Sequence, residues 1–536
     1  MKKRLLVIIA AIIAVAGVAT FFIIKNGGAI GDCEPQRAKI DKAFVCYFDI
    51  EQLAKKGVLD KHITLDQRRL AASMASANIH DSEVSAHTEA LITDLSMSGV
   101  DITKPVYGYF DVDTEAMVFV AEVADVDNLD KTIGIMSYMA EQEDGVHLEI
   151  KQVEDDRYVY LNDALLCYNT SRAAVVIADD EVLNVVASDV LSSLLLDISI
   201  FDGTDMAVYI DINTVINLVD SNLADDISRD TINELRMNLT EDAYFVSSLT
   251  FDPGRAILHS YFEGVNMEAY NTSCEKVTFN HLNYIDDNLL AAMSGSVNGV
   301  KCAEIMQDAL SEHAAKFDNE TNMAIAIVLD AIETIDGDVT LALQSIDGEY
   351  KEYIDYYWGD VAYRPIISDA SGALMADVTD TYIISNVGEF ASGFLKKAGD
   401  SIYTGQFGSY KVNLEQRDNL LFAGVNTPME LVEKPASKAR WIKDIDGSIA
   451  YMVIDVDNVM ESSFVESVSK VLVENMEYPQ IYTQLTQKLS YVYLTLCKDG
   501  SSDLVFVMDD ASTNSLEQLN DVLLPVVVSE FIKSIM

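Results

Sequence analysis

FVCYFDIEQL, residues 44–53, reads as an apolar strand that stops at an aspartate and turns into a helix. MAVYIDINTV (206–215) and AYMVIDVDNV (450–459) repeat it. In each copy a short run of mostly β-prone residues ends at Asp49, Asp211 or Asp455, and helical spacing resumes directly afterwards. An aspartate there suits an N-cap. Its carboxylate accepts a hydrogen bond from a free N–H of the first turn, and its charge sits at the positive end of the helix dipole. All three are expected as structural caps, not catalytic groups.

The order of elements downstream of each copy repeats as well. After Asp211 come helical stretches, then YFVSSLTF, the turn Asp252-Pro253-Gly254 and RAILHSYF, a hairpin. After Asp455 come helices, YVYLTLC, the turn Lys498-Asp499-Gly500 and DLVFVM. The first copy runs on into VYGYF, a turn over 111–115, and AMVFVAEV. A degenerate fourth copy starts at LLAAMS (289–294) and continues through DVTLALQS, a turn at Asp347-Gly348, and EYKEYI. Between units, ALLCYNTSRAAVVIADDEVLNVV (164–186) and ALMADVTDTYIISNVGEFASGF (373–394) both read as hairpin then helix. The repeated order predicts two duplicated halves, 43–280 and 285–536, with Asp211 equivalent to Asp455 and Asp49 to a position near Ser294. The fold class is α+β, with mostly antiparallel sheets covered by helices.

The amino terminus gives location. Lys2, Lys3 and Arg4 precede an uncharged apolar run from Leu5 to Ile24, and about 20 residues at 1.5 Å each match a hydrocarbon core of roughly 30 Å. Residues 1–24 are expected to be a signal anchor, 25–42 a tether, and the body to lie on the non-cytoplasmic side. A cleaved signal peptide, with Ala14-Val15-Ala16 as a small-residue site, is the alternative. A lipoprotein signal fits less well, because Cys33 lies beyond the apolar run and follows Asp32. The formal charge of -49 repels phosphate backbones and excludes nucleic acid as a natural partner.

Motifs for chemistry are missing. The chain has no GxGxxG, GxxxxGK[ST], HExxH or GxSxG. Its six cysteines are scattered, and its seven histidines never fall at short metal-ligand spacing, so no metal site, cofactor or disulfide scaffold is expected. Ser467-Val468-Ser469-Lys470 matches SxxK without the companion elements of penicillin-recognising enzymes. The acidic clusters 111–115, 125–127 and 444–447 lack the full EF-hand pattern and read as solvated turns. Tyr353, Tyr356, Tyr357 and Trp358 form a candidate aromatic binding surface, weighed against simple coverage of a sheet face.

FDIEQLAKKGVL (48–59), GVDITKPVYGYFDVDTEAMVFVAEVADVDNL (99–129) and IDGDVTLAL (335–343) resemble a family of bacterial cell-envelope proteins known only as a domain of unknown function. The resemblance implies an exported, typically lipid-anchored protein, from which this chain departs by lacking a credible lipidation cysteine. It assigns no functional residue. The expected function is a membrane-anchored, non-catalytic binding, scaffold or assembly protein whose partners are the membrane, through residues 5–24, and a protein or envelope polymer. An envelope-polymer hydrolase with a site assembled from distant segments, and a divalent-cation-dependent adhesive module, are the alternatives.

Overall fold

The structure, a computed structural model, describes residues 39–535 except 78, 146, 162–163, 224–235, 237–238, 266–275, 312–318, 355–360, 381–383, 386–394 and 477. It divides into two compact units, residues 35–265 with 510–536 and residues 266–509. The first carries strands β1 (Phe44–Phe48), β2 (Val106–Asp111), β3 (Ala116–Glu122), β4 (Lys151–Val153), β5 (Asp156–Leu161), β6 (Ala164–Tyr168), β7 (Arg172–Ile177), β8 (Met206–Asp211), β9 (Leu239–Asp252) and β10 (Arg255–Val265). The second carries β11 (Ala291–Asn298), β12 (Ile335–Ile354), β13 (Val361–Val378), β14 (Lys396–Gly399), β15 (Ile402–Phe407), β16 (Tyr410–Arg417), β17 (Leu420–Val425), β18 (Ala450–Asp455), β19 (Leu489–Leu496) and β20 (Ser502–Met508).

Within each unit these pairings are antiparallel. The first sheet runs β4-β5-β6-β7-β3-β2-β1-β8-β9-β10. The second runs β14-β15-β16-β17-β13-β12-β11-β18-β19-β20. Numbered within its own unit, each sheet has the same strand order. The quoted repeat lies at the centre of both, since β1 pairs with β2 and β8, and β11 pairs with β12 and β18.

Alternation places the cores. Val45, Tyr47, Ala207 and Tyr209 turn inward in the first unit and meet Phe201, whose ring centroid lies 5.2 Å from that of Tyr47. Val118, Val120, Val176 and Leu165 form an adjoining core under the helix Asp180–Ser192. In the second unit Tyr451 packs beside Phe279 and Trp441, at 5.6 and 6.3 Å between ring centroids, and Trp441 is fully buried.

Two sequence expectations need correction. Asp347-Gly348 is a register shift inside the long β12–β13 hairpin, not its turn. ALMAD belongs to β13, on the strand that corresponds to β3, whereas the partner of the ALLCY hairpin is β16–β17. Counting ladder positions from Asp211 and Asp455, the rung of Asp49, expected near Ser294, is held by Ser296: Asp49 N donates to Asp205 O at 2.9 Å and Ser296 N to Ile449 O at 2.9 Å. β11 runs on to Asn298, whose Oδ1 accepts from Lys301 N at 3.1 Å and caps the helix Gly299–Ser311 in place of an aspartate.

The helix Ser515–Ile535 follows β20 in the chain but packs in the first unit. Among the described residues no helix is long and apolar enough to cross a membrane; the Leu5–Ile24 run lies outside them.

Candidate functional site

The three aspartates singled out in the sequence all sit at the junction of a strand and a helix. Asp49 Oδ1 accepts from Gln52 N at 2.9 Å, Asp211 Oδ1 from Thr214 N at 2.8 Å and Asp455 Oδ1 from Asn458 N at 3.2 Å. Asp211 and Asp455 are buried and each takes a cation, Lys39 Nζ at 2.8 Å and Arg440 Nη2 at 3.1 Å. Each of the three carboxylates is thus engaged in structure. Burial pushes the Asp455 carboxyl up, and Arg440 only partly offsets it.

Tyr353 lies on β12 opposite Ala362 of β13; Tyr356, Tyr357 and Trp358 fall outside the described residues. The SxxK serine and lysine have separate partners: Ser467 Oγ accepts from Tyr350 N of β12 at 2.7 Å, and Lys470 pairs with Glu466 at 2.7 Å. Among the described residues no group of three or more histidine, cysteine or acidic side chains is disposed to hold a metal.

A polar chain that no local motif announces is built in the second unit. Ser294 Oγ lies 2.8 Å from Thr340 Oγ1, Thr340 Oγ1 lies 2.9 Å from His281 Nδ1, and His281 Nε2 lies 3.1 Å from Asp377 Oδ1. Asp377 Oδ2 accepts from Asp338 N at 3.0 Å, and Asp338 Oδ2 accepts from Thr278 N and Oγ1 at 2.8 and 2.6 Å. Burial pushes the Asp377 carboxyl up, but the hydrogen bond and charge of His281 outweigh it, so the group stays below the usual carboxylate range. An ionised Asp377 only accepts, which puts a proton on His281 Nε2.

Hydroxyl, imidazole and carboxylate in line resemble a nucleophile with its base. Burial argues otherwise. Thr340 and His281 are each 2% exposed, so no substrate reaches the hydroxyl. The role of the chain is to pin the turn Asn280–Tyr284 to β12 and β13. The first unit fills the matching rungs with Tyr47 and Tyr107, so the fold itself does not require the polar version. Sequence reading missed it because residues 281, 294, 340 and 377 share no spacing.

The outward face of the second sheet is unusual in another way. Across seven strands one row reads Ala423, Leu374, Leu341, Met293, Met452, Leu494 and Leu504. The next row reads Val425, Gly372, Leu343, Ala291, Ile454, Val492 and Phe506. Neither row holds a charge, in a chain where 23% of residues are charged. Met293, Leu341 and Leu374, neighbours across three strands, are 51%, 50% and 48% exposed. A sheet face open to solvent normally alternates to polar residues, and this exposed apolar face departs from that pattern.

Residues 39–516 match a family described as a domain of unknown function, DUF4836. The chain belongs to this family. No curated protein matches it. Among solved structures it is similar to crystal form IV of TP0453, with 11% identity over 42% of this chain and 77% of that one at a TM-score of 0.24. Crystal form III of TP0453 gives 12% identity over 50% and 86% of the two chains at 0.23. At such scores the likeness carries no argument. Within this DUF4836 member, the reading of function rests on its own surfaces.

Proposed function

We propose that this protein is a membrane-anchored, exported, non-catalytic binding or scaffold protein of the cell envelope, with its body on the outer side of the membrane. The observation that carries the binding part is the uncharged sheet face around Met293, Leu341, Leu374 and Met452. An apolar protein surface is the partner that face suits, because burying it releases water without stranding a charge. The apolar run Leu5–Ile24 behind Lys2, Lys3 and Arg4 supports the anchor and its orientation. The common strand order of the two sheets supports an origin by internal duplication, and the burial of His281 and Thr340 favours scaffold over hydrolase.

The test is site-specific photo-crosslinking in intact cells. A photo-reactive residue at Leu341 should give discrete protein adducts that a second substitution, Leu374→Glu, removes without changing the melting temperature. The same probe at Glu349 serves as control. Equal adducts at both positions, or none at Leu341, would reject the reading; protection of the body from protease in spheroplasts would reject the orientation.

A further inference from the structure

The carboxy-terminal segment reaches the first unit only after the whole of residues 266–509, yet it is held there by fitted contacts. Its leading loop is shaped in advance: Asp510 Oδ1 accepts from Ser512 N at 2.9 Å and Ser512 Oγ at 2.6 Å, and its Oδ2 accepts from Thr513 Oγ1 at 2.6 Å. These bonds hold the Asp510 carboxyl far below the usual range.

The loop then grips the β9–β10 turn. Gly254 N donates to Thr513 O at 2.9 Å, Asn514 Nδ2 donates to Phe251 O at 2.8 Å, and Ser515 Oγ donates to Arg255 O at 2.7 Å. Asn514 Oδ1 also accepts from Leu516 N at 2.9 Å and so starts the helix. Gly254 has φ of 69°, and a Cβ there would come within 2.6 Å of Ala511 Cα. The turn and the segment are matched at van der Waals contact.

Over the described positions 515–529 of the helix, those that are buried are Ser515, Gln518 and Val522, a single stripe. Gln518 Nε2 donates to Asp510 O at 2.7 Å and Thr513 O at 2.9 Å. Further on, Asn520 Nδ2 donates to Gly57 O at 2.9 Å, while Lys61 Nζ meets Glu517 at 2.7 Å and Asp521 at 3.2 Å. Gln518 thus braces the loop from within, while the bonds to the seat come from Thr513 O, Asn514, Ser515, Asn520 and the Lys61 ion pairs, so recognition comes from directed polar contacts.

We infer that the β9–β10 turn with Gly57 and Lys61 is a peptide-binding seat, that residues 510–524 occupy it as an exchangeable strap, and that the same segment of a second copy fits it equally. The seat takes a loop of the form Asp-Ala-Ser-Thr-Asn-Ser leading into a helix with a glutamine one turn on. In the intact chain the covalent tether keeps the local concentration of strap high and shuts out a competitor.

The experiment uses the full chain with Asn514→Ala, Gln518→Ala, or both, beside wild type. Hydrogen exchange should accelerate about tenfold in 239–265 and 50–76, with 266–509 unchanged, the opening expected for one lost buried hydrogen-bond pair. A fluorescent synthetic peptide of residues 510–536 should then bind the double variant at least tenfold more tightly than wild type. Either substitution alone keeps the test alive if the double variant does not fold. Unchanged exchange, acceleration spread equally over 266–509, or peptide binding no stronger to the variants than to wild type would overturn the inference.

Discussion

Asp211 and Asp455 occupy one rung in two sheets: their N–H groups donate to Ala43 O and Leu290 O at 2.9 and 3.0 Å, the residues just before β1 and β11. Each also caps the helix it precedes and receives a cation from outside its own strand. Alanine at either position removes the cap and one carboxylate partner of the cation, and should cost about 1–3 kcal/mol, more than the loss at the less buried cap Asp49, about 1 kcal/mol. Asparagine keeps the cap acceptor and should recover most of the loss. Denaturant unfolding of the six variants ranks them; an asparagine variant that unfolds normally but loses binding completely would give that aspartate a functional role.

The pH profile combines opposed signs. Asp377, held low by His281, and Asp111, raised by burial but brought lower overall by Lys42 and Thr114, are depressed in the folded state. Their stabilisation is present above the unfolded carboxylate value of about 3.9 and is lost as pH falls through their folded values. Asp455 is raised by burial, so its contribution is present below the unfolded value and lost as pH rises through the folded one. Unfolding free energy measured from pH 7 down to pH 2 should fall at the acid end. Asp377→Asn should flatten that fall, and an unchanged slope would show that its bond to His281 does not form.

The buried chain should behave as a unit. Thr340→Val removes a partner from both Ser294 and His281 and is expected to cost about 1–3 kcal/mol. His281→Phe should cost a similar amount, and the double variant clearly less than the sum, since the second change removes groups the first had orphaned. A strictly additive double-mutant cycle would mean that the chain is not coupled.

Thiol labelling offers a quick check of the first core. Burial, with a smaller contribution from the charge of Asp156, pushes the Cys167 thiol up to about 12, and the residue is fully buried beneath the helix Asp180–Ser192. It should resist maleimide in the folded protein and react once denaturant is added. Rapid labelling of Cys167 without denaturant would place that helix elsewhere.

Much of this architecture is legible from residue pattern alone. The apolar runs ending at Asp211 and Asp455 become central strands, and Asp252-Pro253-Gly254 becomes a hairpin turn because Gly254 needs positive φ. The same preference misleads at Asp347-Gly348, where a bulge inside a ladder uses the glycine that a turn would use. ALMAD and ALLCY look alike because both alternate, and alternation does not say which neighbour a strand will choose. The sheet face is legible only in part: Met293 and Met452 sit where a half-buried strand should be polar, but their partnership needs the register. The seat for the strap leaves no hydrophobic trace, since Asn514, Ser515 and Asn520 do the holding.

The helix that closes the first sheet is made only after the whole second unit. At roughly 5–20 residues per second, residues 266–509 take on the order of ten to fifty seconds to synthesise. Through that interval the β9–β10 turn and the carbonyl of Gly57 face solvent or whatever binds there in the meantime. Synthesised amino end first, such a chain acquires its finished surface in an order opposite to its sequence: the second sheet can mature first, and the first sheet waits for the tail. Its vulnerability to proteases and chaperones during synthesis is therefore concentrated in the older half of the polypeptide.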